Sequence, residues 1–195
     1  IGKVYSAAVT GIYAVPVEVQ ADVAPGIPYF ELTGNLAGTT KEAKERVRIA
    51  IKNSKFQINP SKITINMIPA NIRKEGTSYD LAVAVAVLTA VGVIAAKKVS
   101  GALFIGELGL DGGICNVSSI LPMTLCARDN GFTICYVPMG NVGEASLVTG
   151  IRVIGISSLR ECVDYINNGC NCRAHIDNNI DNATAVSYTH LTLPT

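Results

Sequence analysis

Asn71–Leu88 reads NIRKEGTSYDLAVAVAVL: a charged turn ending in Gly76-Thr77-Ser78, then an acid, then an unbroken apolar series. The series runs from Leu81 to Ala96, sixteen residues with Thr89 and Gly92 inside it. That is short of the roughly 20 residues a membrane-spanning helix needs. It is also apolar on every side, whereas a surface helix keeps one polar face. The reading is a buried core helix that other elements must cover from several directions. Thr77 and Asp80, three residues apart ahead of it, have the spacing of a capping box, in which the paired side chains satisfy free backbone N–H groups.

The flanks supply the cover. Val4–Val23 alternates as two strands around Gly11, Pro25-Gly26-Ile27-Pro28 breaks the run, and Tyr29–Thr33 gives a third strand. Thr39 and Glu42 have capping-box spacing before a helix whose Ala43, Val47, Ala50 and Ile51 form an apolar stripe. Lys62–Ile68 alternates as a strand and stops at Pro69. Beyond the central helix, Ala102–Leu110 and Ile114–Val117 flank Asp111-Gly112-Gly113 as a hairpin. Ser118 or Ser119 is placed to cap a helix reaching Asn130, with Gly131 closing it. Thr133–Val137 and Arg152–Ile156 read as strands, Val142–Leu147 and Ser158–Asn167 as helices. Strands come in a run first and alternate with helices later, which predicts an α/β (α+β) domain with helices packed on a mixed sheet.

Of the 195 residues, 49% are hydrophobic and 16% charged, with net charge +1, a balance that suits one globular domain and excludes a basic nucleic-acid arm. The six cysteines all lie in the second half at irregular spacing, which fits free thiols in a reducing cytoplasm better than a disulfide framework. No signal-peptide pattern precedes the first strand, and no membrane association is expected. Val186–Thr195 (VSYTHLTLPT) resembles one reading frame of a transposase-type sequencing adapter and is set aside from the fold. Residues 168–185, rich in Asn and Asp, read as a linker. The two histidines, His175 and His190, both fall in these segments. Residues 1–167 therefore contain none, and no histidine-based nucleophile system can be built there.

Three stretches carry a family resemblance: KEAKERVRIAIKNS (Lys41–Ser54), the quoted Asn71–Leu88, and FIGELGLDGGI (Phe104–Ile114) with the helix after it. The opening KVYSAAVTGIYAVPVEVQADV (Lys3–Val23) adds to them. In order and spacing they resemble the N-terminal domain of the ComM/YifB family of Mg-chelatase-like AAA+ ATPases, which is itself similar to the proteolytic domain of Lon. The resemblance implies a Lon-protease-like fold. It also implies a Ser-Lys dyad position by position, with Ser78 matching the nucleophile. The lysine position falls on Leu121, and Ser118-Ser119 stand where Lon has paired glycines. A serine hydroxyl needs an adjacent base, so the dyad is read as degenerate and no catalytic residue is assigned. The expected geometry is Ser78 facing Leu121 across one shallow, apolar and dry groove, with Ser78 capping the following helix.

Other candidates have plainer readings. Lys74, Lys97 and Lys98 are possible replacement bases, but on polar turns they read as solvated surface. Glu107 and Asp111 could pair for metal or acid-base work, yet Asp111-Gly112 is a turn dipeptide. Cys170-Asn171-Cys172 with His175 is half of a zinc site without a fourth ligand. Lys44, Arg46, Arg48 and Lys52 could meet phosphates, but Glu42 and Glu45 interleave with them. No G-x-x-x-x-G-K-[ST] motif occurs, so neither cofactor nor metal is assigned to this chain. What the resemblance implies is an ATPase domain after the linker that binds ATP and Mg, a homo-oligomeric ring, and ATP-driven DNA remodelling in competence and recombination, with this domain as a non-proteolytic accessory module. The alternatives are a Lon-type Ser-Lys peptidase and a metal-chelatase subunit.

Overall fold

The computed structural model describes residues 1–169 and the backbone of 175–176. Gly2–Thr10 (β1) and Tyr13–Pro25 (β2) form a long antiparallel hairpin, in register from Gly2 opposite Ala21 to Thr10 opposite Tyr13. Tyr29–Thr33 (β3) follows, then the single turn Gly38–Lys41 (α1), the helix Ala43–Asn53 (α2) and Ser61–Ile68 (β4). The central apolar run forms Asp80–Ala90 (α3). After it come Ala102–Phe104 (β5), Glu107–Leu108 (β6), Ile114–Cys115 (β7) and Ile120–Asp129 (α4). The chain continues through Ile134–Pro138 (β8), Val142–Ala145 (α5), Arg152–Ile156 (β9), Leu159–Asn168 (α6) and His175–Ile176 (β10).

The main sheet has the order β10-β9-β8-β5-β1-β2-β4-β3. β1, β5, β8 and β9 run parallel, as do β3 and β4, while β1/β2, β2/β4 and β9/β10 are antiparallel. Alternation along β1 sends Val4 and Ala8 to one core and Ala7 to the other. The first core lies between the sheet and α2, α3 and α6; the second lies under α4 and α5. β4 splits the same way, with Ile63, Ile65 and Met67 buried and Lys62, Thr64 and Asn66 on the face no helix covers. This is the mixed, helix-packed α/β fold expected.

The central helix is buried as anticipated: every residue from Asp80 to Thr89 is inside. Each large apolar side chain there contributes about 1.5–3 kcal/mol through burial. Gly2 permits this, because a Cβ at that position would lie 2.0 Å from the Ala86 carbonyl oxygen. At α4, Gly131 has φ 79° and the Phe132 and Gly131 amides bond the Ala127 and Arg128 carbonyls, which makes the expected glycine closure a Schellman motif.

Several local expectations are corrected. Neither the Thr39/Glu42 nor the Thr77/Asp80 box forms, and no side chain caps α1, α2 or α3. Thr77 instead donates to the Glu107 carboxylate, and Asp80 is taken by Arg46. Ser119 is the N-cap residue of α4 but sits in the left-handed region at φ 61°, without a side-chain cap bond. The true side-chain cap is Ser158, which accepts from the Glu161 amide at 3.1 Å. Ala102–Leu110 is not one strand: β5 stays in the main sheet, and only β6 and β7 form the hairpin. Gly106 causes the break, since its amide donates to the Ser78 carbonyl and its own carbonyl accepts from the Leu81 amide. Of residues 168–185, Asn168 ends α6 and His175–Ile176 pair with β9; Cys170, Asn171 and Cys172 lie outside the described residues, as does the segment 186–195 with His190.

Candidate functional site

The turn Gly76–Tyr79 is pinned at both ends. Thr40, buried on α1, donates its hydroxyl to the Lys74 and Gly76 carbonyls, and the Gly106 amide holds the Ser78 carbonyl at 2.9 Å. This clamp brings Ser78, half-buried, to a groove of about 490 Å³. Glu75, Thr77 and Glu107 form one wall; Asn116–Ser119 and Met123 form the other. The second wall is itself fixed, because Asn141 accepts from the Val117 amide at 2.9 Å and donates to its carbonyl at 3.0 Å.

The turn bearing Ser78 and the segment leading into α4 share a groove, but the expected facing of Ser78 and Leu121 across it is not found. Leu121 is not among the lining residues; it packs, part-buried, against the core under α4, and Met123 reaches the groove instead. The groove is also polar rather than apolar, lined by Thr77, Ser78, Ser118 and Ser119 and by the carboxylates of Glu75 and Glu107. Among the described residues the Ser78 hydroxyl has no hydrogen-bond partner, and it caps nothing, since the residue flanking α3 is Tyr79.

None of the lysines considered as bases lines this groove. Lys74 is not solvated surface: it is fully buried, and its ammonium donates to the Gly34 carbonyl at 2.7 Å and to the Pro69 carbonyl. Burial holds its pKa below the usual lysine range. Lys97 and Lys98 stand exposed on a 3-10 turn, with Lys98 donating to the Asn167 carbonyl near the end of α6. Asp111 accepts from the Gly113 amide at 2.9 Å, the turn role read for it.

The charged pair that sequence reading missed lies behind the turn. Arg46 on α2 donates twice to Asp80, at 2.7 and 3.1 Å, and Asp80 also accepts from the Leu108 amide at 3.3 Å. Asp80 is fully buried, and burial raises its pKa to about 6 against the opposing pull of Arg46 and the Leu108 amide. Glu107 adds a smaller upward push. An acid opening a wholly apolar helix must be buried with the helix and so needs a cation. That was the available signal for it.

A family model described as subunit ChlI of Mg-chelatase matches residues 19–141. The chain belongs to this family. Within it the chain corresponds to the N-terminal region of the ComM/YifB type. The competence protein ComM of Haemophilus influenzae is 33% identical over 164 residues, 84% of this chain and 32% of ComM. The uncharacterised protein YifB of Escherichia coli is 36% identical over 147 residues, 75% of this chain and 29% of YifB. A Lon protease of Malacoplasma penetrans is 28% identical over 127 residues, 62% of this chain and 16% of that protein, in keeping with the fold. The chain spans about a third of the length of its ComM and YifB relatives. Among the described residues no helix is long and apolar enough to cross a membrane.

Proposed function

We propose that this chain is a non-proteolytic accessory domain of a cytoplasmic, ring-forming, Mg-chelatase-like AAA+ ATPase that remodels DNA during uptake and recombination. The observation that carries the non-proteolytic part is the Ser78 groove, whose lining holds neither lysine nor histidine. A hydroxyl with no base beside it stays protonated and is a poor nucleophile at neutral pH. The DNA-remodelling part is supported by the similarity to ComM, a competence protein, and by family membership.

We assign neither ATP nor Mg to this chain, a reading supported by the lack of a G-x-x-x-x-G-K-[ST] phosphate-cradling loop in its sequence. Nucleotide, metal and ring contacts would belong to the remaining two-thirds of a protein of ComM length. An electrophilic fluorophosphonate probe is expected to leave Ser78 unlabelled at neutral pH, read by intact-mass spectrometry. Labelling that disappears in Ser78→Ala would restore the peptidase reading. Calorimetry with Mg·ATP is expected to show no saturable binding at micromolar concentrations; saturation would place a nucleotide site in this domain and overturn the division of labour.

A further inference from the structure

Lys44, Arg48 and Lys52 lie at four-residue intervals on α2, and Lys55 follows its end; all four are exposed. That spacing aligns Lys44, Arg48 and Lys52 in one row, about 12 Å long at the helical rise per residue, with Lys55 beyond the helix end at φ 65°. Arg46, grouped with them in the sequence, points instead to Asp80. The row borders a groove between α2 and the edge of the sheet. Its larger section, of about 640 Å³, is lined by Phe30, Ile51, Phe56, Ile58 and Ile63. Through Phe30, Arg48 and Ile63 it continues into a section of about 320 Å³ that reaches Tyr29 and Lys44. Glu45 supplies the acid in this lining and is ion-paired with Arg48 at 2.9 Å. Lys44, Lys52 and Lys55 have no ion-pair partner among the described residues.

The groove lies beside an open strand edge. β3 ends the sheet and pairs with β4 on one side only. Such an edge offers unpaired N–H and C=O groups to an incoming strand, whose every second side chain would face the groove. The floor is mostly aliphatic. The Phe56 ring is buried, with the Arg160 guanidinium 4.8 Å from its centre, and Phe30 is half-buried, which leaves Tyr29 as one exposed ring in the groove rather than a row on which successive bases stack. Apolar floor, cationic rim and open edge together select a peptide over a nucleic acid.

We propose that this groove binds an extended peptide segment bearing aliphatic and acidic side chains, added as a strand to the free edge of β3. Aliphatic groups enter over Phe30 and Ile63, and carboxylates meet the Lys44–Lys52 row. This inference is independent of the Ser78 groove and of any ATPase partner.

The test uses the 195-residue chain and the fluorescein-labelled peptide Ser-Leu-Ser-Leu-Ser-Glu-Ser-Glu-Ser, read by anisotropy. Binding is expected, weakening as salt rises. The double variant Lys44→Glu with Lys52→Glu should weaken it by roughly tenfold. Lys62→Glu with Lys97→Glu, equally exposed but off the groove, should leave it unchanged. Proline placed in turn at the central serine and at the leucine before it should abolish binding at one of the two positions, the one whose N–H would point to β3. Melting temperatures confirm that both variants fold. Absence of binding, equal binding of a peptide with lysine in place of glutamate, or indifference to Lys44→Glu with Lys52→Glu would each overturn the proposal. Tighter binding of an oligo-dT strand that the same reversal removes would do so as well, and would make the row a nucleic-acid surface.

Discussion

The turn Gly76–Tyr79 separates two polar regions that are built in opposite ways. Behind it, Lys74, Asp80 and Arg46 are held by direct partners: two carbonyls for the lysine, a two-point guanidinium contact and a backbone amide for the acid. In front of it, the Ser78 hydroxyl faces an open groove with no partner and no base among the described residues. Buried charge is costly unless paired, so the rear region constrains the fold tightly. A hydroxyl open to a polar groove costs little to leave alone. Stability and chemistry are therefore separable here, and substitutions on the two sides should differ sharply in effect.

The largest effect is expected from Arg46→Met. It keeps the aliphatic stem but leaves the Asp80 carboxylate buried and uncompensated, which should cost about 3 kcal/mol in urea unfolding at pH 7. A loss well below 1 kcal/mol would show that Asp80 is already neutral or finds water, and the contrast between the two regions would fade.

Asp80→Asn should behave differently from its partner's variant. Arg46 keeps about a fifth of its side chain exposed and also donates to the Thr39 carbonyl, so it tolerates losing the carboxylate better than Asp80 tolerates losing it. The pH dependence has a definite sign. The folded pKa of Asp80, about 6, lies above the ordinary 3.8. Between those values the folded chain binds more protons than the unfolded chain, so stability from this group rises as pH falls through the window. Above pH 6 the carboxylate is ionised in both states and the contribution is flat. A shift of this size corresponds to about 3 kcal/mol. Asp80→Asn should lack that slope and be no less stable than the parent at pH 7. A loss of several kcal/mol at pH 7 would mean that the guanidinium outweighs burial and that the folded pKa is depressed instead.

The two regions were also unequally legible from sequence. The apolar run after Asp80 announced its burial, and the strands read at Tyr29–Thr33 and Arg152–Ile156 match the structure residue for residue. The side-chain caps did not follow from spacing. Thr-x-x-Glu and Thr-x-x-Asp fix only distance along the chain, whereas Glu107, 30 residues away from Thr77, and Arg46, 34 away from Asp80, compete for the same groups. Lys74 reads as surface because it lies in a polar turn between two charged residues, and those two, Arg73 and Glu75, are exposed and pair with each other at 2.8 Å. Its burial depends on the Gly34 and Pro69 carbonyls, a tertiary arrangement no local pattern encodes.

The smallest effect is expected at Ser78, where the comparison is sharpest. Had its hydroxyl capped α3, Ser78→Ala would cost about 1 kcal/mol. In the structure the hydroxyl bonds nothing among the described residues, and the contact that matters is made by the backbone, whose carbonyl accepts from Gly106 at 2.9 Å whatever the side chain. Alanine preserves that bond and the turn, so the change in unfolding free energy should stay within about 0.5 kcal/mol. If alanine alone costs a full kcal/mol, the hydroxyl has a partner in solution, and the view of the groove as chemically unassisted falls with it.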